Sequence, residues 1–306
     1  MLQGYLLLIV SAVSIAFLPF LSEVVQFFSF GLGLGLAMTS SSMLVASLYS
    51  GNRGKALSLL NGFWTIGAAL CPALASAWVK RWPPTFLFLF IGVAMLIIFS
   101  FLLGPARLLS NSAPPLVQSA AAEKHLHLIS IFAALGCLYV GVEASVSGWM
   151  MTYIHRLPDA SLAWGPISVS VFWIALLCGR MLAPIVLARL SEERLLTASI
   201  VTALVATAFV LVGRSPASIA VAVALTGLAL GPIYPLCLSK ALGSMKDSPR
   251  AKWIFAISGS GGALLPWVTG LLSAHENSLR IGLLVPVAAL VTMIVLNRLA
   301  PVAPAA

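Results

Sequence analysis

Leu138–Tyr153 reads LYVGVEASVSGWMMTY. The stretch lies inside an apolar run long enough to cross a bilayer, and it carries Glu143 near its middle. A carboxylate in hydrocarbon costs about 2.5–3.5 kcal/mol on insertion scales and more in simulation. Two questions therefore come first: whether the rest of the chain is a membrane protein, and what Glu143 is for.

Composition answers the first. The chain has 306 residues, 60% hydrophobic and 8% charged, with a mean hydropathy of +1.06. Soluble domains carry roughly 25% charged residues. The fold class is all-α polytopic membrane protein. Unbroken apolar runs of about 20 residues exclude a β-barrel, which shows alternating segments of about 10. The net charge of +9 does not point to nucleic acid, because the basic residues lie in short loops between apolar runs, where they set orientation. Cys71, Cys137, Cys178 and Cys237 fall inside apolar runs, in no metal or disulfide pattern.

Windows of about 19 residues give ten spans. They are A 3–21, B 25–48, C 56–79, D 84–104, E 127–152, F 163–188, G 195–213, H 216–239, I 253–273 and J 280–298. An even number places both termini on one side. The loops on that side hold eleven Lys and Arg (53, 55, 107, 124, 189, 194, 240, 246, 250, 252, 298). The opposite loops hold five (80, 81, 156, 214, 280). Both termini are expected in the cytoplasm, in a bacterial inner membrane. Arg180 belongs to neither set, because it lies within span F.

A polar linker, 106–126, separates an N-terminal half (1–105, four spans) from a C-terminal half (127–306, six spans). The halves echo each other. GLGLG from Gly31, Arg53-Gly54-Lys55 and GAALCP ending at Pro72 recur as GLALG from Gly227, Arg250-Ala251-Lys252 and GGALLP ending at Pro266. The offsets are 196, 197 and 194, and three ordered matches at nearly one offset suggest two parallel repeats. Subtracting about 195 maps G to J onto A to D and sends E and F before Met1. The chain thus reads as a twelve-span protein without its first two spans.

A six-plus-six helical plan with a polar cytoplasmic linker resembles the major facilitator superfamily of secondary transporters. GNRGKALSLLNGFWTIGAALCP is similar to that superfamily's fourth-to-fifth helix region. FWIALLCGRMLAPIVLARL resembles its eighth helix and GLALGPIYPLCLS its tenth. LYVGVEASVSGWMMTY resembles the seventh helix of the fucose-permease-like sugar/proton symporters. The resemblance implies alternating access and a cavity at the bilayer midplane, lined by both halves. It also marks departures. The basic signature loop between helices two and three and the acidic first helix of those symporters have no counterpart here. Span B offers Thr39, Ser40, Ser41 and Ser42 where they carry a second acidic residue.

Glu143 leads the candidates for substrate binding or proton coupling: it can accept from solute hydroxyls or carry a transported proton. The alternative is a lock between helices through an ion pair or hydrogen bond. Tyr139 shares its face, four residues earlier, whereas Trp149 lies about 120° around an ideal helix and suits packing or an interfacial belt equally well. Asn61 and Trp64, three residues apart in span C, form a candidate polar-plus-stacking platform for a sugar ring, with helix–helix bonding as the alternative. Tyr234, between Pro232 and Pro235, is a candidate cavity hydroxyl beside a bent helix. Arg180 and the turn residue Arg53 are candidates for a conformational gate. Ser258, Ser260 and Gly259, Gly261 and Gly262 indicate tight helix contact.

No catalytic triad, metal set or phosphate loop emerges, so neither an enzyme nor a cofactor is expected. The expected function is a monomeric secondary transporter in the lipid bilayer, moving a small polar solute, a sugar among the candidates, with a coupled proton. Drug or metabolite efflux is a variant of that reading. A shortened, non-transporting membrane protein or fragment is its rival.

Overall fold

The computed structural model describes residues 2–18, 22–111, 122–157, 161, 164–245 and 252–300. These are helical almost throughout, with no strand among them. In order come α1 (Leu2–Phe17), α2 (Glu23–Leu48), a 3-10 turn (Ser50–Asn52), α3 (Arg53–Val79), α4 (Pro84–Asn111), α5 (Ala122–His155), α6 (Trp164–Val186), α7 (Glu192–Val212), α8 (Pro216–Leu230), α9 (Ile233–Met245), α10 (Lys252–His275), α11 (Leu279–Gly282) and α12 (Leu284–Leu299).

Every expected span coincides with a helix or helix pair. Among the described residues eight segments are long and apolar enough to cross a membrane, and α1 is a shorter apolar helix. The expected span H is two helices, α8 and α9. Pro232 has no N–H to donate to the preceding turn, and the ladder stops at Gly231. Span J likewise divides, at Leu283. Of the residues in the expected linker, 112–121 lie outside those described, as do Lys246 and Arg250.

Local chemistry sets several helix ends. Ser191 caps α7 by accepting from the Arg194 N–H, and Glu192 and Glu193 stand in the first turn, where the helix dipole favours anions. Ser215 and Ser218 form a capping box at the start of α8, with Pro216 in the first turn. Asn277 ends α10 with φ 49°, while the Ser278 N–H reaches back to Ser273 O at 3.0 Å.

The chain divides into two compact units, Met1–Leu44 with Leu70–Ala122, and Val45–Ala69 with Glu123–Ala306. In the first, Gln26 Nε2 donates to the carbonyls of Ser14 of α1 (3.1 Å) and of Leu18 just past its end (2.8 Å). Phe27 meets Phe88 edge-on, with ring centroids 6.0 Å apart. A Cβ on Gly33 would lie 2.9 Å from the Leu8 backbone nitrogen, so α1 and α2 approach to backbone contact.

The second unit contains the polar interior. Its α5 and α10 touch backbone to backbone, and a Cβ on Gly261 would collide with the Cys137 carbonyl. Within the serine–glycine run of span I, Ser258, Gly261 and Gly262 therefore pack tightly on α5 while Gly259 faces open space, the geometry small residues permit between helices without a hydrophobic drive. On the other flank, α6 and α8 meet the same way. A Cβ on Gly231 would lie 2.7 Å from the Arg180 backbone nitrogen.

A buried charged cluster as candidate functional site

Helical periodicity brings the cluster together. On α6 the buried positions run Gly165, Ser168, Phe172, Leu176, Gly179, Arg180 and Ala183, one stripe facing the interior. Arg180 lies on that stripe and is 2% exposed. On α5 the stripe of Tyr139, Val142, Val146 and Met150 includes Glu143, which is 9% exposed. On α3 Asn61 and Thr65, one turn apart, are both buried.

Arg180 is the hub. Its Nη2 donates to Glu143 Oε2 at 3.1 Å and to the Tyr139 hydroxyl oxygen at 3.0 Å. Its Nη1 donates to the Asn61 backbone carbonyl at 3.3 Å and to Thr65 Oγ1. Its Nε is buried without a partner. The Tyr139 hydroxyl in turn donates to Glu143 Oε2 at 2.5 Å. One carboxylate oxygen therefore accepts from both a phenol and a guanidinium. The charged pair is held by α5 and α6, and α3 supplies the remaining acceptors.

Aromatic rings border the cluster. The Trp64 ring lies 5.7 Å from the Arg180 guanidinium carbon, a cation–π distance. Tyr234, the second residue of α9, stacks on Tyr139 with centroids 5.4 Å apart and planes 23° apart. The break at Gly231–Pro232 is what lets α9 start there and turn Tyr234 towards α5.

Five of the sequence-derived candidates, Glu143, Tyr139, Asn61, Trp64 and Tyr234, thus gather around a sixth, Arg180. Asn61 contributes its main-chain carbonyl, while its amide donates to Leu57 O at 2.9 Å. Trp149 does not join them. Its indole Nε1 donates to Pro266 O at 3.0 Å, and its ring lies against Gly270 of α10, so it packs α5 onto α10. Arg53 is also elsewhere, with Nε donating to Ala46 O at 3.1 Å.

Two further residues, Thr65 and Glu192, enter only with the structure. Thr65 stands four residues after Asn61, a spacing that places both on one face of α3. Glu192 accepts from the Gly54 backbone N–H at 2.9 Å and so closes the start of α3. The Ser-Glu-Glu run at a helix start was a legible capping signal, but its target lies 138 residues away.

The site holds a permanent cation, since arginine is not deprotonated in proteins, beside the Glu143 carboxyl group. No group of three His, Cys, Asp or Glu suited to a metal occurs among the described residues.

The Major Facilitator Superfamily family description matches residues 1–266. The chain belongs to the Major Facilitator Superfamily. It is thus an integral membrane transporter for small-molecule solutes rather than an enzyme. Two solved structures of the superfamily share its fold. One is a crystal structure of FucP, a transporter of this superfamily, in the outward conformation, with 16% identity, TM-score 0.77, and coverage of 98% of this chain and 82% of that one. The other is a single-residue variant of FucP, the E. coli fucose:proton symporter, with 15% identity, TM-score 0.78, and coverage of 98% and 83%. At these identities the likeness establishes the fold. Comparison with the curated proteins returned no match.

Proposed function

We propose that this transporter is a proton-coupled symporter of a small polar solute, working by alternating access of a half within 1–105 and a half within 127–306. The observation that carries the reading is the buried Glu143–Arg180 pair. An intramembrane ion pair is costly to maintain and marks ion or substrate pathways. Glu143 is the proton carrier. Tyr139 orients its carboxylate, and Trp64 and Tyr234 offer ring faces to a solute. Arg180 is the counter-charge and, with Arg53, a conformational element. FucP is by its title a fucose:proton symporter, which favours a hydroxylated, sugar-like solute. The protein works as a monomer in a bacterial inner membrane with both termini cytoplasmic, as the loop charge asymmetry supports.

The test is uptake into proteoliposomes of labelled hexoses, hexuronates and short carboxylates, driven by an inward proton gradient. Wild type should accumulate a solute of this panel against its gradient. Glu143→Gln should abolish accumulation yet keep solute counterflow. Undiminished accumulation in that variant would remove Glu143 from the coupling.

A further inference from the structure

The guanidinium of Arg180 is unevenly used. Nη1 and Nη2 have their partners, whereas the buried Nε has none. On a planar guanidinium the Nε–H and one Nη2–H point the same way and form a fork that fits a carboxylate through two parallel bonds. In this structure Nη2 serves Glu143 Oε2 and Tyr139, and the other prong of the fork is empty.

Charge balance supplies the second argument. Arg180 stays cationic throughout, and Glu143 is its one carboxylate partner among the described residues. The titratable groups around Glu143 are Tyr139 on its own helix, Arg180 on α6, and Tyr234 on α9 with Cys237 one turn beyond. From α3 come only the uncharged Asn61, Trp64 and Thr65. Protonating Glu143 therefore leaves a buried cation without a counter-charge, a strongly unfavourable state. A neutral solute cannot relieve it. A solute anion can.

Resting on the reading of this cluster as the transport site, we infer that the solute is a hydroxylated monocarboxylate, a sugar acid by class. Its carboxylate takes the Nε/Nη2 fork of Arg180 as Glu143 takes up a proton. The only bond made is the O–H of Glu143, and it is broken again on release. One proton and one monoanion load together and leave together, so the step is electroneutral. Trp64 and the Tyr139–Tyr234 stack provide apolar faces for the carbon skeleton, and the solute's hydroxyls find Thr65 and Tyr139.

The experiment is calorimetric titration of the purified full chain with D-glucuronate, D-gluconate and L-lactate, against D-glucose and L-fucose, in buffers of different ionisation enthalpy. Wild type should bind at least one of the acids with uptake of about one proton per molecule, and affinity should fall about tenfold per pH unit once Glu143 is ionised in the free protein. Glu143→Gln should bind the acid without proton uptake and without that pH dependence. The uncharged double variant Glu143→Gln/Arg180→Gln, which leaves no lone buried charge, should lose acid binding. Wild-type proton uptake is informative even if a variant folds poorly. Binding of glucose or fucose with no acid bound would overturn the inference while leaving the site reading intact. So would acid binding without proton uptake in wild type, or no acid binding at all. Acid binding undiminished in the folded double variant would sink both.

Discussion

Arg180 of α6 and Thr65 of α3 are joined by a hydrogen bond although 115 residues separate them in the chain. The guanidinium that donates to Thr65 Oγ1 from one side donates to Glu143 and Tyr139 of α5 from the other. Three helices thus meet at one charge, and energetic coupling among these residues should follow.

Removing one member of the pair should be far worse than removing both. Arg180→Met alone leaves Glu143 buried and unpaired, with an expected cost of about 3–5 kcal/mol, whereas Arg180→Met with Glu143→Leu should lie near wild type. Thermal unfolding in detergent of the two singles and the double measures the coupling. Additive losses would mean that the pair does not interact as its 3.1 Å separation implies.

Trp149, which packs α5 onto α10, and Trp64, which borders Arg180, should separate cleanly. Trp149→Phe removes the bond to Pro266 and should lower stability by about 0.5–1.5 kcal/mol with solute affinity unchanged. Trp64→Ala should weaken solute binding, because Trp64 borders Arg180. Paired melting and binding curves decide, and a reversed pattern would reassign both residues.

Within the glycine run of α10, neighbours should behave oppositely. A Cβ at Gly261 runs into α5 backbone, while Gly259 has open space around it. Gly261→Ala should destabilise by about 1–3 kcal/mol through forced separation of the helices. Gly259→Ala should be neutral or mildly stabilising, by up to about 1 kcal/mol. Equal melting temperatures for the two variants would contradict the close contact between Gly261 and Cys137.

Glu192 should protect the first turn of α3. Its carboxylate accepts from the Gly54 N–H and lies where the dipole of α3 favours an anion. Glu192→Ala should speed amide exchange at Gly54 severalfold and cost about 0.5–1 kcal/mol locally. Unchanged exchange at Gly54 would show that the bond does not close that helix end.

What sequence reasoning reached follows from the range over which each interaction acts. Apolar run length and loop punctuation are local, and each expected span found its helix. The Tyr139–Glu143 contact was legible because it spans one helical turn. The glycine run of span I was legible as packing because only small residues let backbones touch. The convergence on Arg180 was not, since its partners come from α3 and α5, up to 119 residues away, and no periodicity within one helix encodes a neighbour on another. Trp149 lies about 120° around α5 from Glu143, and that position directs it to α10, where it packs, the alternative its place on the helix already offered. The Gly231–Pro232 break was foreshadowed by its prolines, but the stacking of Tyr234 on Tyr139 depends on where α9 is aimed.

The seam between α6 and α8 carries a mechanical meaning. At Gly231 the two backbones are so close that the main chain of Arg180 is wedged against its neighbour. Sliding α6 along α8 by a fraction of a turn would drive carbonyl into Cα, so the seam resists relative movement of the two. The positive charge is thereby bolted to the frame. Glu143 and Tyr139 of α5 reach it through side chains alone, whereas α3 meets it through the Thr65 hydroxyl and the Asn61 main-chain carbonyl. Arg180 is thus the fixed post of this unit, and Glu143, Tyr139 and Thr65 are the ropes tied to it.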